Sequence, residues 1–356
     1  MPFLRILFLI FLKLSKFIRN VFHSLEIVTI YRSIRVVLVG LFALIIAGLL
    51  NRYYKLPLQY RVCPSAYWSV TLDTGFEGFD NESGIVNGPY IVPNYIHFLR
   101  YGSRKLENVN FMDAVNILSA FKNQKPDKIF FHTDLGKFTG KYWDILMQVP
   151  GFKDVVEFPS IKPVDSIFGQ PLNSWYKLWH GSDILRIDIL RRYGGIFIDN
   201  DVYVVKKLDE FRRFEMTLEI IDEKSFGTMT LVAHKDARFL KLWHDSYKWY
   251  LGHLWYYNAG EKPKIEILNA RPELVHNVQD KFGVRDLRVP LYIEKWKDWK
   301  SQFTIHTLVR HLHDLSALQN NKLNLTYPVT FDEKIIFKYN VTILDMILDC
   351  CKELLT

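Results

Sequence analysis

The sequence predicts an α/β fold with a central, mostly parallel sheet, preceded by an N-terminal transmembrane helix. Three observations carry that expectation. Residues 90–134 read as strand, helix, strand, the opening of a parallel α/β sheet. Residues 36–50, "VVLVGLFALIIAGLL", form an unbroken apolar run between Arg35 and Asn51-Arg52. Between residues 181 and 203 a helical pattern ends in two glycines and passes into "IFIDNDV", a strand signal that ends on acids.

The elements follow in order. "YIVPNYIHFL", 90–99, is β-branched and aromatic around one proline and predicts the first strand. Phe111, Val115, Leu118 and Phe121 share one side of a helix over 110–122, and "PDKIFFHTD" predicts the second strand. Helical patterns recur at 141–147, 173–192, 236–251 and 342–355, and strand patterns at "GGIFID", 214–221, 225–234 and 302–306. No repeat or Pro-rich linker divides this part, so it reads as one domain.

Length and composition agree with a folded chain. The 356 residues suffice for a sizeable core, and 49% hydrophobic with 15% aromatic content argues against disorder. The net charge is +8, but residues 1–55 hold eight basic groups against Glu26 alone, which leaves +1 for the rest. A nearly neutral body lacks the basic clustering that a phosphate backbone requires, so nucleic-acid binding is not expected.

Fifteen apolar residues fall short of the ~20 of a full span, yet Ile34 and snorkelling arginines extend the run, which suits a thin early-secretory bilayer. Six basic groups precede it and three (Arg52, Lys55, Arg61) follow, which sets the N-terminus in the cytosol and the remainder in the lumen. The expected organisation is a basic amphipathic segment at 1–33, a signal-anchor at 34–51, an irregular stem at 52–88 and a lumenal domain at 89–356. A buried core helix in place of the anchor, and a second span at 3–18, are the competing topologies. Asn81, Asn324 and Asn340 are glycosylation acceptors in sequence. Cys63 bridged to Cys350 or Cys351 would leave one thiol for a partner subunit, as in a homodimer; equally, all three are reduced and buried.

The chemistry gathers in "HGSDILRIDILRRYGGIFIDNDV". Gly181 and Ser182 are expected to start a helix, with Ser182 as its N-cap. Asp183 and Arg186, three apart, share a face at its start, and Gly194 and Gly195 stop it. Alternation along the following strand sends Phe197, Asp199 and Asp201 to one side and Asn200 to the other. Two carboxylates on one face call for a cation between them, and Mn²⁺ or Mg²⁺ suits oxygen ligands while leaving room for a diphosphate. Asp183 and Arg186 supply an acceptor and a donor for sugar hydroxyls. By itself an Asp-x-Asp reads as a solvated turn; the surrounding run favours the ligand reading.

This run resembles the signature of glycosyltransferase family 32, the sugar-binding region containing the DXD motif, which includes α-1,4-galactosyltransferases and α-1,6-mannosyltransferases. Ser182, Asp183, Arg186, Gly194, Gly195, Phe197, Asp199 and Asp201 carry the match, and "VPNYIHFLRYG", "SFGTMTLVAHKDARFLKLW" and "FTIHTL" extend it more weakly. The resemblance implies a GT-A fold, a nucleotide-sugar donor, a metal at Asp199 and Asp201, retention of anomeric configuration and, in eukaryotes, a Golgi type II membrane protein. It implies Asp183, Arg186 and Phe197 at the donor sugar, with His306 beside the metal and His311 and His313 as its nearby competitors. Phe197 stands where many relatives have Tyr or Trp, and Gly227-Thr228 where they have Asn after a glycine.

The expected function is therefore transfer of a hexose from a UDP- or GDP-sugar to a glycan or glycolipid hydroxyl. The competing expectations are an inactive, membrane-anchored carbohydrate-binding or scaffold protein of the same fold, and a metal-dependent nucleotide-sugar hydrolase. His97 and His132 are assigned to packing, and Trp175 and Trp179 to the core.

Overall fold

A computed structural model describes residues 75–314 and 331–355, together with Lys13, residues 37–41 and Leu44. The chain divides into two compact units, Met1–Val62 and Cys63–Thr356. In the first, residues 37–41 and 44 are helical, and no described helix is long and apolar enough to cross a membrane. The expected anchor at 34–51 lies for the most part outside the described residues, as do nearly all of 1–33, the first part of the stem, Cys63 and Asn324.

The second unit is the expected α/β layer structure. Its main sheet contains β1 (Tyr95–Arg100), β2 (Lys128–Thr133), β3 (Val156–Glu157), β4 (Gly195–Ile198), β6 (Met216–Leu218), β7 (Thr230–Ala233) and β8 (His276–Asn277). Their order is β3-β2-β1-β4-β7-β6-β8, and β7 alone runs against the others. A separate antiparallel pair joins β5 (Val202–Val204) to β9 (Thr304–His306). Five helices pack on the sheet: α1 (Phe111–Gln124), α2 (Lys141–Gln148), α3 (Lys177–Tyr193), α4 (Arg238–Ser246) and α5 (Thr342–Cys350).

The strands of the sheet centre are buried and largely apolar because both faces are covered, with His97, Arg100, His132 and Thr133 as the polar exceptions in β1 and β2. Ile96 and Phe98 of β1 enter the core shared with α1, α2 and α5, while Leu99 enters the one shared with α3 and α4. Burying a side chain such as Phe98 or Phe131 contributes about 2–3 kcal/mol. The first strand is shorter than expected. It starts after Pro93, which lacks the N–H a ladder needs. At α1 the Asn110 side chain accepts from the Asp113 N–H at 2.9 Å, and Lys125 ends the helix with φ 52°.

One expectation needs correction. The end of the stem is stitched to the domain: Asn81 Nδ2 donates to Glu215 and to the Glu273 carbonyl, and Ile85 N–H donates to the Arg213 carbonyl. Asn81 is 2% exposed with its amide occupied, so it is no glycan acceptor, whereas Asn340 is exposed. Cys350 and Cys351 are buried free thiols, Cys351 donating to the Val115 carbonyl, as in the reduced and buried alternative; Cys63 lies outside the described residues.

His97 sets the sheet centre. Its Nε2 lies 2.7 Å from the Gly194 carbonyl, which only accepts, so Nε2 carries the proton. Nδ1 is then an acceptor and takes the Nε2–H of His132 at 2.9 Å. The pair ties β1 and β2 to the end of α3, where the chain reverses into β4. Gly195 sits at φ 114°, and a Cβ there would stand 2.8 Å from both His97 Nε2 and the Tyr95 carbonyl. Only glycine passes this point.

Gly195→Ala is therefore expected to lower stability by about 2–4 kcal/mol, read from urea unfolding. Burial lowers the His97 pKa to about 4, and burial with the neighbouring His97 and Arg192 charges lowers that of His132 to about 3. The unfolded chain takes up these protons below pH ~6.5 and the folded chain does not, so stability present at neutral pH is lost as pH falls towards 4. The loss is expected to reach on the order of 2–3 kcal/mol per histidine near pH 4.5; His132→Gln should flatten the slope of stability against pH over that interval.

Candidate active site

The site is built where α3 hands over to β4. The helix begins at Lys177, not at Ser182. Ser182 Oγ donates to the Leu178 carbonyl one turn back, at 3.0 Å, so the residue expected to cap the helix lies within it. Gly181 admits Tyr101, whose hydroxyl would stand 2.7 Å from a Cβ and donates to the same Leu178 carbonyl at 2.8 Å. Asp183 and Arg186 consequently sit in mid-helix, buried, with Ile184, Ile187 and Leu190 in the core beneath.

Asp199-Asn200-Asp201 is a turn and not the end of a strand. β4 ends at Ile198, and the Val202 N–H closes the turn on the Asp199 carbonyl at 3.1 Å. Three distant elements hold it. Asn200 Nδ2 donates to the Leu99 carbonyl of β1 at 2.7 Å, Asn116 of α1 donates to the Asn200 carbonyl, and Thr307 donates to the Asp201 carbonyl through N–H and Oγ1, both at 2.8 Å. Asn200 lines the same cavity as the two carboxylates, and its side chain anchors the turn to β1.

Arg186 organises the carboxylates. Nη2 lies 3.2 Å from Asp183 Oδ1, Nη1 lies 3.5 Å from Asp199 Oδ1, and Nη1 also donates to the Thr228 carbonyl at 2.6 Å. The guanidinium rests on the Phe197 ring, 5.1 Å from its centroid. Phe197 is 1% exposed and supports Arg186 from below, so it does not reach the cavity where it was expected to meet a sugar. Across the floor, His306 Nε2 lies 3.2 Å from Asp201 Oδ1.

These environments split the titrations. Burial outweighs Arg186 and pushes Asp183 up to about 6, and burial likewise raises Asp199. Burial also acts on Asp201, but the His306 charge and hydrogen bond, with Arg310, overcome it and hold the carboxyl down at about 2. His306 is raised: burial disfavours its charged form, and Asp201 more than compensates. One acid is thus poised near neutrality and another is firmly ionised.

Asp183, Arg186, Asp199, Asp201 and His306 all line one cavity of about 590 Å³. Tyr256, Trp179 and Trp255 share its wall with Arg288, Arg310 and His311. The sequence reading missed the first and the two arginines, which come from loops far from the motif, and it placed Trp179 in the core. Among the described residues no three His, Cys, Asp or Glu side chains are arranged as a metal site. Asp199 is turned to Arg186 and Asp201 to His306, so the expected metal set Asp199, Asp201, His306 is near at hand but not gathered on one point.

Replacing Arg186 by Leu leaves two recessed carboxylates facing each other without a cation. The expected cost is about 3 kcal/mol at pH 8, read from urea unfolding. The raised Asp183 should rise further, so the deficit should shrink by pH 5 as the folded state binds the proton, and Asp183→Asn in the same background should recover part of it.

Residues 109–224 match the family described as "Glycosyltransferase sugar-binding region containing DXD motif". Glucan organizing enzyme 1 of Cryptococcus neoformans var. grubii is 25% identical over 189 residues, covering 49% of each chain, so this chain spans about half the length of that relative. Among solved structures, PaToxG glycosyltransferase is 20% identical with a TM-score of 0.34, over 51% of this chain and 70% of its own. An active-site mutant of LgtC is 15% identical with a TM-score of 0.37, over 60% and 87%. Residues 109–224, from α1 through the aspartate turn to the strand beyond it, are thus the part of the chain that is similar to glycosyltransferase sugar-binding regions containing the DXD motif, and Asp199 and Asp201 lie within that part.

Proposed function

We propose that this chain is a retaining glycosyltransferase of GT-A type that moves a hexose from a UDP- or GDP-sugar to a hydroxyl of a glycan or glycolipid. The observation that carries the reading is Arg186, clamped between Asp183 and Asp199 at the floor of the cavity. Its guanidinium lines the cavity and meets both carboxylates and the Thr228 carbonyl there. Asp183 accepts from a sugar hydroxyl and Arg186 donates to one, which orients the hexose. Arg310 and Arg288, the latter paired with Asp286, stand with His306 on the opposite wall, where a diphosphate would be received. The sequence of strands from β3 to β8, with β7 reversed, agrees with this reading.

A divalent cation fits the donor set in chemistry: Asp201 is ionised at any working pH, Asp199 offers oxygen, and neutral His306 offers nitrogen. Asp199, Asp201 and His306 would hold Mn²⁺ or Mg²⁺, which when bound stabilises charge on a departing diphosphate. Asp199 would turn from Arg186 to do so, leaving the guanidinium to the sugar. We further propose a Golgi-membrane, type II placement, supported by the basic residues ahead of the apolar run at 36–50.

The test is a thermal-denaturation screen of the full chain in detergent against UDP- and GDP-hexoses with Mn²⁺. A donor present at ~100 Kd should add about 2.7 kcal/mol. Asp201→Asn should abolish that gain and lower transfer at least ~10²-fold. Stabilisation without turnover would leave a sugar-nucleotide binding protein, equal turnover with and without acceptor a hydrolase, and no stabilisation by any donor would sink the reading.

A further inference from the structure

Trp175 is 84% exposed, Trp179 51% and Trp255 47%, although the sequence reading placed the first two in the core. With Tyr176, Asn173 and His253 they line a recess of about 480 Å³. Trp179 and Trp255 belong also to the cavity that holds Asp183 and Arg186, so the two spaces share a wall.

The shelf is fixed in place. Trp179 packs edge-on against Trp255 with centroids 5.0 Å apart, and Tyr176 does the same at 5.4 Å. Beneath them His180, 1% exposed, joins the Trp255 carbonyl at 3.0 Å and the Tyr250 hydroxyl at 2.6 Å. His180 and Trp179 lie on α3 itself. Trp179 is four residues before Asp183, hence one turn along the same face. A ring stacked on Trp179 would lie one sugar away from a hexose held by Asp183 and Arg186.

From this arrangement we propose that the shelf formed by Trp175, Trp179 and Trp255 binds a neutral saccharide, the acceptor chain, immediately beside the transferred hexose. The proposal rests on the glycosyltransferase reading of the cavity. Flat rings match the C–H faces of pyranoses, and the uncharged amide of Asn173 and the imidazole of His253 match their hydroxyls. Arg104 and Lys177, the latter paired with Asp165, border Trp175 and Trp179 on the side away from Trp255, so a vesicle arm in the test separates a saccharide from a lipid surface.

Titration of the full chain in detergent, by tryptophan fluorescence and calorimetry, tests this with lactose, cellotetraose, maltotetraose, laminaritetraose and α-1,6-mannotetraose, and separately with sugar-free phosphatidylcholine vesicles. At least one saccharide should quench saturably. Trp175→Ala and Trp255→Ala should each weaken it roughly tenfold, while Trp175→Phe keeps it within a few-fold. UDP- and GDP-hexose binding with Mn²⁺, measured on the same samples, should be unchanged by Trp175→Ala, which also shows that the variant folds. Donor binding with no saccharide bound, or saccharide binding indifferent to both alanine variants, overturns the shelf and leaves the enzyme reading standing. Vesicle binding lost in Trp175→Ala without saccharide binding overturns it in favour of a membrane surface. Absence of donor binding removes the glycosyltransferase reading on which the acceptor role depends.

Discussion

The contact on which the rest of the site depends is Arg186 between Asp183 and Asp199. Two recessed carboxylates that close would repel, and one would neutralise, without a cation between them. The guanidinium is suited to this because its planar fork reaches Asp183, Asp199 and the Thr228 carbonyl while its face lies on Phe197. A lysine could satisfy the charge but not the three directions. Arg186 thereby joins helix, turn and the loop before β7 into one rigid floor.

That floor also explains the double glycine. The helix must end within one residue and the chain must slip between His97 and the Tyr95 carbonyl to enter β4 beside β1. The neutral histidine pair fixes the crossing from the other side, since the Gly194 carbonyl leaves only one tautomer open to His97. Backbone geometry and side-chain protonation settle the same point. The aspartates inherit their position from it.

Much of this was legible in the sequence because it is local. The helix, the glycine stop and the strand that follows occupy one continuous run, and the apolar strands announce a sheet covered on both faces. The errors arose where tertiary contacts overrule local signals. Ser182 has the residue type of a cap, but the helix is extended backwards to Lys177 by packing against Tyr101 and bonds its hydroxyl to the preceding turn. Alternation gave the correct side for the two aspartates by the wrong geometry, since they sit in a turn that Leu99, Asn116 and Thr307 hold from afar. Tryptophan at helical spacing looks like core; Trp175 instead precedes α3, Trp179 lies in its first turn, and both are exposed. Tyr256, Arg288 and Arg310 carry no local signal, and His306 was visible only through family resemblance.

The small sheet of β5 and β9 has a consequence for how the protein is made. It pairs Val202–Val204, directly after the aspartates, with Thr304–His306, about a hundred residues later in the chain. Contacts of such sequence separation are slow to form and close last. On a ribosome, the Asp183–Arg186–Asp199 floor emerges long before the strand that brings His306 to Asp201. A nascent or truncated chain therefore carries the Asp183–Arg186 half of the pocket without its opposite wall. The pocket is completed only once β9 has been made.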